Sequence, residues 1–89
     1  MIEKKLLIIN KLGLHARAAA KLTGLTGRFS SEIKISKEGR SVDGKSIMSV
    51  MMLAASKGTE LTISANGDDE SDAITAIEAL INNRFDEEE

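Results

Sequence analysis

ELTISANGDDESDAITAIEALINNR, residues 60–84, carries two periodicities in succession. Leu61, Ile63 and Ala65 alternate with polar residues, the period of a strand with one buried face. Gly67 closes that strand. Beyond it, Ala73, Ile74, Ile77, Leu80 and Ile81 recur at intervals of three and four, which predicts a helix over 70–84 with an Asp68–Asp69 pair placed to cap it. A strand apolar on one face and a helix apolar on one stripe both need a covering layer. A sheet carrying helices satisfies both.

Upstream stretches extend the pattern. Residues 32–36, EIKIS, alternate cleanly; KEGR then turns, and RSV at 40–42 returns as a short strand. Residues 2–9, IEKKLLII, read as a strand with Ile2, Leu6 and Ile8 inward, although Leu7 and Ile9 spoil the alternation. Alanine-rich residues 16–27 predict a helix offering Leu22 and Leu25 to the core, weakened by Gly24 and ended by Gly27. Residues 47–56, IMSVMMLAAS, run helically towards Gly58. The predicted order is β-α-β-β-α-β-α. The predicted class is α+β, an open-faced sandwich with a four-stranded sheet and helices on one face.

Composition narrows the chemistry. Eighty-nine residues with 42% hydrophobic content suit one domain over 1–89 with one aliphatic core, since the only aromatics are Phe29 and Phe85. The absence of cysteine excludes disulfides, thiolate metal sites and thiol nucleophiles. A single histidine leaves transition metals few ligands, so no metal and no cofactor is expected. The apolar run near the N-terminus is too short for a membrane span or signal core, and a soluble cytoplasmic protein without membrane association is the expectation.

Charge is unevenly divided. Residues 1–45 hold ten Lys/Arg against four Asp/Glu, and residues 46–89 hold two against ten. No aromatic platform accompanies the basic half, so nucleic acid is not the expected partner; an acidic protein or a phosphorylated group fits better. The acidic C-terminal tail, 86–89, reads as solvated and frayed.

The single histidine stands in NKLGLHARAAAKL, residues 10–22. If the helix starts at Ala16, His15 occupies its cap position. There the first N–H groups lack partners and the helix end carries about half a positive charge, which disfavours a charged ring. An anion at this end gains roughly 0.3–1 kcal/mol, and the amides of Ala16 and Arg17 can donate to it. The Arg17 guanidinium adds a fork of donors suited to phosphate oxygens. A neutral nucleophilic nitrogen beside an anion site is the chemistry of a phosphohistidine. Two other readings compete: an ordinary half-exposed histidine, and a hydrolytic base, for which no local spacing supplies an orienting carboxylate or serine.

The stretch GKSIMSVMML, residues 44–53, is apolar on too many sides. Val50, Leu53 and Ala54 share a face that can meet the core, which leaves Ile47, Met48, Met51 and Met52 elsewhere. Such a helix is either buried under a loop or docks a partner, and methionines suit a surface that fits several partners. Ser46 reads as its N-cap, with no capping box because position 49 is Ser. A phosphoryl group on Ser46 would place roughly −1.5 to −2 charges beside the apolar residues.

GLHAR at 13–17, KSIM at 45–48 and the element order together resemble the HPr family of phosphocarrier proteins of the bacterial phosphotransferase system. The likeness covers nearly the whole chain, at the length of a complete HPr. It implies a four-stranded antiparallel sheet with three helices on one side, and a monomeric phosphocarrier rather than an autonomous enzyme. It implies that His15 takes phosphate on Nδ1 from phospho-enzyme I and passes it to A-type enzyme II components, with Arg17 steadying the phosphoryl group. It implies a regulatory phosphorylation site for an HPr kinase/phosphorylase at Ser46, and a partner-docking patch of Ala20, Ile47, Met48 and Met51. An alternative within the resemblance is a regulatory binding protein controlled through Ser46, in an incomplete or nitrogen-branch system. Ala18 departs from the family, which usually has proline there; about 0.4–1 kcal/mol of pre-organisation is thereby given up.

Overall fold

The computed structural model describes residues 1–89. Its elements are β1 (Ile2–Leu7), α1 (Ala16–Thr26), β2 (Glu32–Lys37), β3 (Arg40–Asp43), α2 (Ile47–Met52), β4 (Glu60–Asn66) and α3 (Glu70–Asn82), followed by one 3₁₀ turn at Arg84–Asp86. All strand pairs are antiparallel, in the spatial order β1-β4-β2-β3. The predicted order and architecture are those observed.

Register explains the single buried face. Leu6 stands opposite Leu61, Ile35 opposite Ile63, and Ile33 opposite Ala65, so the alternating apolar residues of three strands fall on one side. The helices cover that side, contributing Ala18, Ala19 and Leu22 from α1, Val50 from α2, and Ala73, Ile74, Ile77 and Ile81 from α3. Phe85 is fully buried in the same core. Lys4 and Lys34 remain solvated. Ile8 is buried but lies beyond β1, its N–H bonded to the Thr59 carbonyl at 2.9 Å, whereas Leu7 is exposed.

Three local expectations need correction. First, α2 stops at Met52 and not at residue 56, because Ala54 turns into the left-handed region at φ 52° and leaves the helix. Ala54 is therefore exposed, and Ala55 takes the core position expected of it. Second, Gly58 does not end that helix. It sits in the tight turn Ser56–Thr59, where its N–H bonds the Ile8 carbonyl at 2.8 Å. Third, Asp69 holds the N-cap position of α3 without capping it. Its carboxylate instead accepts from the amides of Ser30 and Ser31, at 2.8 and 2.9 Å, and from the Ser31 hydroxyl.

Candidate phosphoryl-transfer site

Backbone geometry around Gly13 places His15. The Leu14 N–H bonds the Ala55 carbonyl at 2.8 Å, so the loop before α1 lies tightly along the segment after α2. Gly13 has φ 68°, and a Cβ there would come within 2.5 Å of the Ala55 oxygen. Only glycine meets both conditions without strain.

His15 is the N-cap residue of α1, in extended backbone conformation, and its side chain makes no capping bond. Its carbonyl accepts from Ala19 N–H at 2.8 Å, which starts the helical ladder. The amides of Ala16, Arg17 and Ala18 precede that ladder and have no acceptor within the chain. Arg17 is exposed and enters no salt bridge, so its guanidinium is available. Ala18 is fully buried against the core. The predicted helix start, cap residue and free donors are all in place.

What the sequence did not reveal is the tail. Residues 86–89 are not frayed: they fold back over the loop before α1. Arg84, Phe85 and Asp86 are three consecutive non-glycine residues with positive φ, at 56°, 53° and 64°. Such a conformation costs about 1–2 kcal/mol per residue. It is held by burial of Phe85, by Lys21 Nζ donating to the Phe85 carbonyl at 2.9 Å, and by Asn83 Nδ2 donating to Asp86 Oδ1 at 2.7 Å. The reversed chain then reaches Lys11, whose N–H donates to the Glu89 carbonyl and whose Nζ pairs with the Glu89 carboxylate at 3.3 Å.

This path delivers Glu87 to His15. One carboxylate oxygen of Glu87 contacts His15 Nε2, and the other accepts from Asn10 Nδ2 at 2.9 Å. Asn10 is fully buried and also donates to the Gly13 carbonyl at 2.8 Å, tying the tail to the same loop. The Asn10 hydrogen bond, ahead of the His15 contact and the nearby Arg17 charge, holds the Glu87 carboxyl below its ordinary range, against the opposing effect of burial. An ionised carboxylate only accepts, so Nε2 carries the ring proton. Nδ1 makes no hydrogen bond. Lys11, Leu12, Arg17, Lys21 and the tail acids, Glu87 among them, line an open cleft of about 480 Å³.

Ser46 caps α2, its hydroxyl accepting from Ser49 N–H at 3.3 Å. The apolar residues that follow are not under a loop: Ile47, Met48 and Met51 are 39%, 67% and 37% exposed. Ala20 on α1 is also exposed, and so is Leu12 in the loop before it, which sequence reasoning passed over. No group of His, Asp and Glu is arranged to hold a metal ion. No helix is long and apolar enough to cross a membrane.

The family model described as the PTS HPr component phosphorylation site matches residues 2–83, which places the chain in the class of phosphotransferase-system phosphoryl carriers. The phosphocarrier protein HPr of Cupriavidus necator is 57% identical over 89 residues, covering both chains completely. That of Pseudomonas aeruginosa is 58% identical over 83 residues, 92% of each chain. The solved structure of HPr-C-His from Thermoanaerobacter tengcongensis superposes with a TM-score of 0.97 at 45% identity, over all of both chains. A weaker likeness, TM-score 0.76 at 39% identity over 94% and 97% of the two chains, is to the Bacillus subtilis catabolite repression protein Crh, a swapped dimer.

The chain belongs to the HPr family of phosphocarrier proteins. It is a carrier rather than an enzyme, and membership implies partners of the enzyme I and enzyme II kinds. The purely regulatory alternative is not favoured.

Proposed function

We propose that His15 is the phosphoryl acceptor, taking the group on Nδ1 from phospho-enzyme I and delivering it to A-type enzyme II components. One observation carries this reading: the side chain with an unengaged Nδ1 stands at a helix end whose first three amides lack acceptors, beside an unpaired Arg17. The amides of Ala16 and Arg17 hold the phosphoryl oxygens there and Arg17 adds its guanidinium. Exposed Ala20, Ile47, Met48 and Met51 form the docking surface, where methionine side chains adapt to different partners. Ser46 is the regulatory site for an HPr kinase/phosphorylase. Its half-buried hydroxyl borders that surface, so a phosphate there would charge the rim of the docking patch. One continuous core supports reading residues 1–89 as one domain, which on this proposal acts as a cytoplasmic monomer.

Incubation with enzyme I and phosphoenolpyruvate tests the assignment. The wild type is expected to gain an acid-labile adduct of the mass of HPO3, and His15→Ala none. An adduct of equal yield on His15→Ala overturns it.

A further inference from the structure

We infer that Glu87, carried back by the left-handed turn at Arg84–Asp86, is a positioning residue for phosphoryl transfer: it holds the proton of His15 on Nε2 and leaves Nδ1 as the reacting atom. The inference rests on the reading of His15 as the phosphoryl acceptor and adds to it a residue from the opposite end of the chain. Three features show a built contact. The Glu87 side chain is only 13% exposed although it lies two positions before Glu89. Both carboxylate oxygens are engaged, one by His15 and one by Asn10. Asn10 gives both amide hydrogens, to Glu87 and to the Gly13 carbonyl, while its own Oδ1 stays buried without a partner. Leaving a buried acceptor unpaired is unfavourable, and the two bonds made by the amide nitrogen offset it. The strained turn adds to the same expense.

The chemistry of transfer depends on that proton. In the loading step the Nδ1 lone pair forms the N–P bond while the donor's bond to phosphorus breaks, its electron pair leaving with the donor. The proton on Nε2 stays, the ring becomes a phospho-imidazolium, and the adjacent Glu87 carboxylate offsets its charge. In the unloading step the N–P bond breaks and its electron pair returns to Nδ1. With Nε2 still protonated, the leaving group is neutral imidazole; without that proton it would be an imidazolate, a far poorer leaving group. A carboxylate on the second ring nitrogen therefore serves both directions, as carboxylate partners orient histidines elsewhere.

The test uses the full chain and the variants Glu87→Ala and Glu87→Gln, with circular dichroism establishing that each folds. By nitrogen-15 NMR the Nε2–H proton of wild-type His15 is expected to be protected from exchange, and that protection to be lost in Glu87→Ala. Spontaneous hydrolysis of the isolated phosphoprotein, which involves no docking partner, is expected to be roughly tenfold to a hundredfold slower in Glu87→Ala, with Glu87→Gln between. Transfer to an A-type enzyme II component should slow in the same order. Hydrolysis and transfer at or above wild-type rates in Glu87→Ala, with label on His15, would overturn the role of Glu87 alone. Label found on a residue other than His15 in the wild type would instead overturn the assignment beneath it.

Discussion

The Glu87 carboxylate accepts a hydrogen bond from His15 Nε2 across 72 positions of sequence. Nothing in either local stretch specifies this contact. It depends on Phe85 entering the core, which fixes where α3 ends, and on Lys21 of α1 gripping the turn that follows. The N-terminal end of α1 is thus assembled from both ends of the chain, and changes at either end should reach it.

Arg17 carries no structural partner, so its loss should affect chemistry and not folding. Arg17→Ala is expected to slow phosphorylation by phospho-enzyme I by roughly 10²–10³-fold, the scale for removing a preorganised donor to a developing anion. Its urea midpoint should match the wild type. Arg17→Lys should recover only part of the rate, because a lysine ammonium lacks the guanidinium fork.

Ser46 separates a structural from an electrostatic effect. Ser46→Ala removes a cap bond of 3.3 Å from a six-residue helix and should cost about 0.5 kcal/mol, the low end for N-caps. Ser46→Asp keeps a capping oxygen but sets a carboxylate beside Ile47 and Met48. Calorimetry against enzyme I should show near-normal affinity for the first variant and at least about fivefold weaker binding for the second, an anion at the rim of an apolar surface costing on the order of 1 kcal/mol.

Gly13 is expected to be intolerant of any side chain. Its φ of 68° and the 2.5 Å approach to the Ala55 oxygen mean that Gly13→Ala must displace the loop that carries His15. Loss of roughly 1–3 kcal/mol in urea denaturation is expected, together with slower phosphorylation. Full activity at wild-type stability would show that the loop can slide past Ala55.

Asp69 gives the pH dependence of stability. Hydrogen bonds from the Ser31 hydroxyl and the Ser30 amide lower its pKa to about 2 from an ordinary 3.8. A depressed carboxylate favours the folded state above its unfolded pKa. That contribution should therefore be whole above about 4 and lost as pH falls through about 2. Asp69→Ala should unfold at lower urea than wild type at pH 7. The difference should narrow between pH 4 and pH 2, and a gap that widens there would reverse the sign.

Ala18 lies in the first turn of α1 with no acceptor for its amide, so proline removes no bond from this position. Ala18→Pro is expected to stabilise the chain by about 0.4–1 kcal/mol through the unfolded state. Calorimetric melting should rise by a few degrees on the scale of about 4–8 °C per kcal/mol. A lower Tm would mean that the fully buried position has no room for the ring.

Elements with a clean local period could be read directly. Leu61, Ile63 and Ala65 on β4, and Ala73, Ile74, Ile77 and Ile81 on α3, are buried as their spacing required, with Leu80 half-buried at the edge of the stripe. The end of α2 could not be read so, because Ala54 adopts positive φ with no glycine to announce the turn. The Asp69 carboxylate was placed correctly on a helix end but serves the Ser30–Ser31 loop, brought near only by folding.

The sequence by itself determined the sheet-and-helix order, the position of His15 at a helix end with Arg17 beside it, and the apolar excess around Ile47 and Met48. Each follows from interactions between residues a few positions apart: alternation, helical spacing, capping. Only the tertiary structure decided which nitrogen of His15 is engaged and that the acidic tail belongs to the site. Those depend on Asn10, His15 and Glu87 converging, and on a left-handed turn held by a buried phenylalanine. Contacts across such separations arise from packing, which no local period encodes.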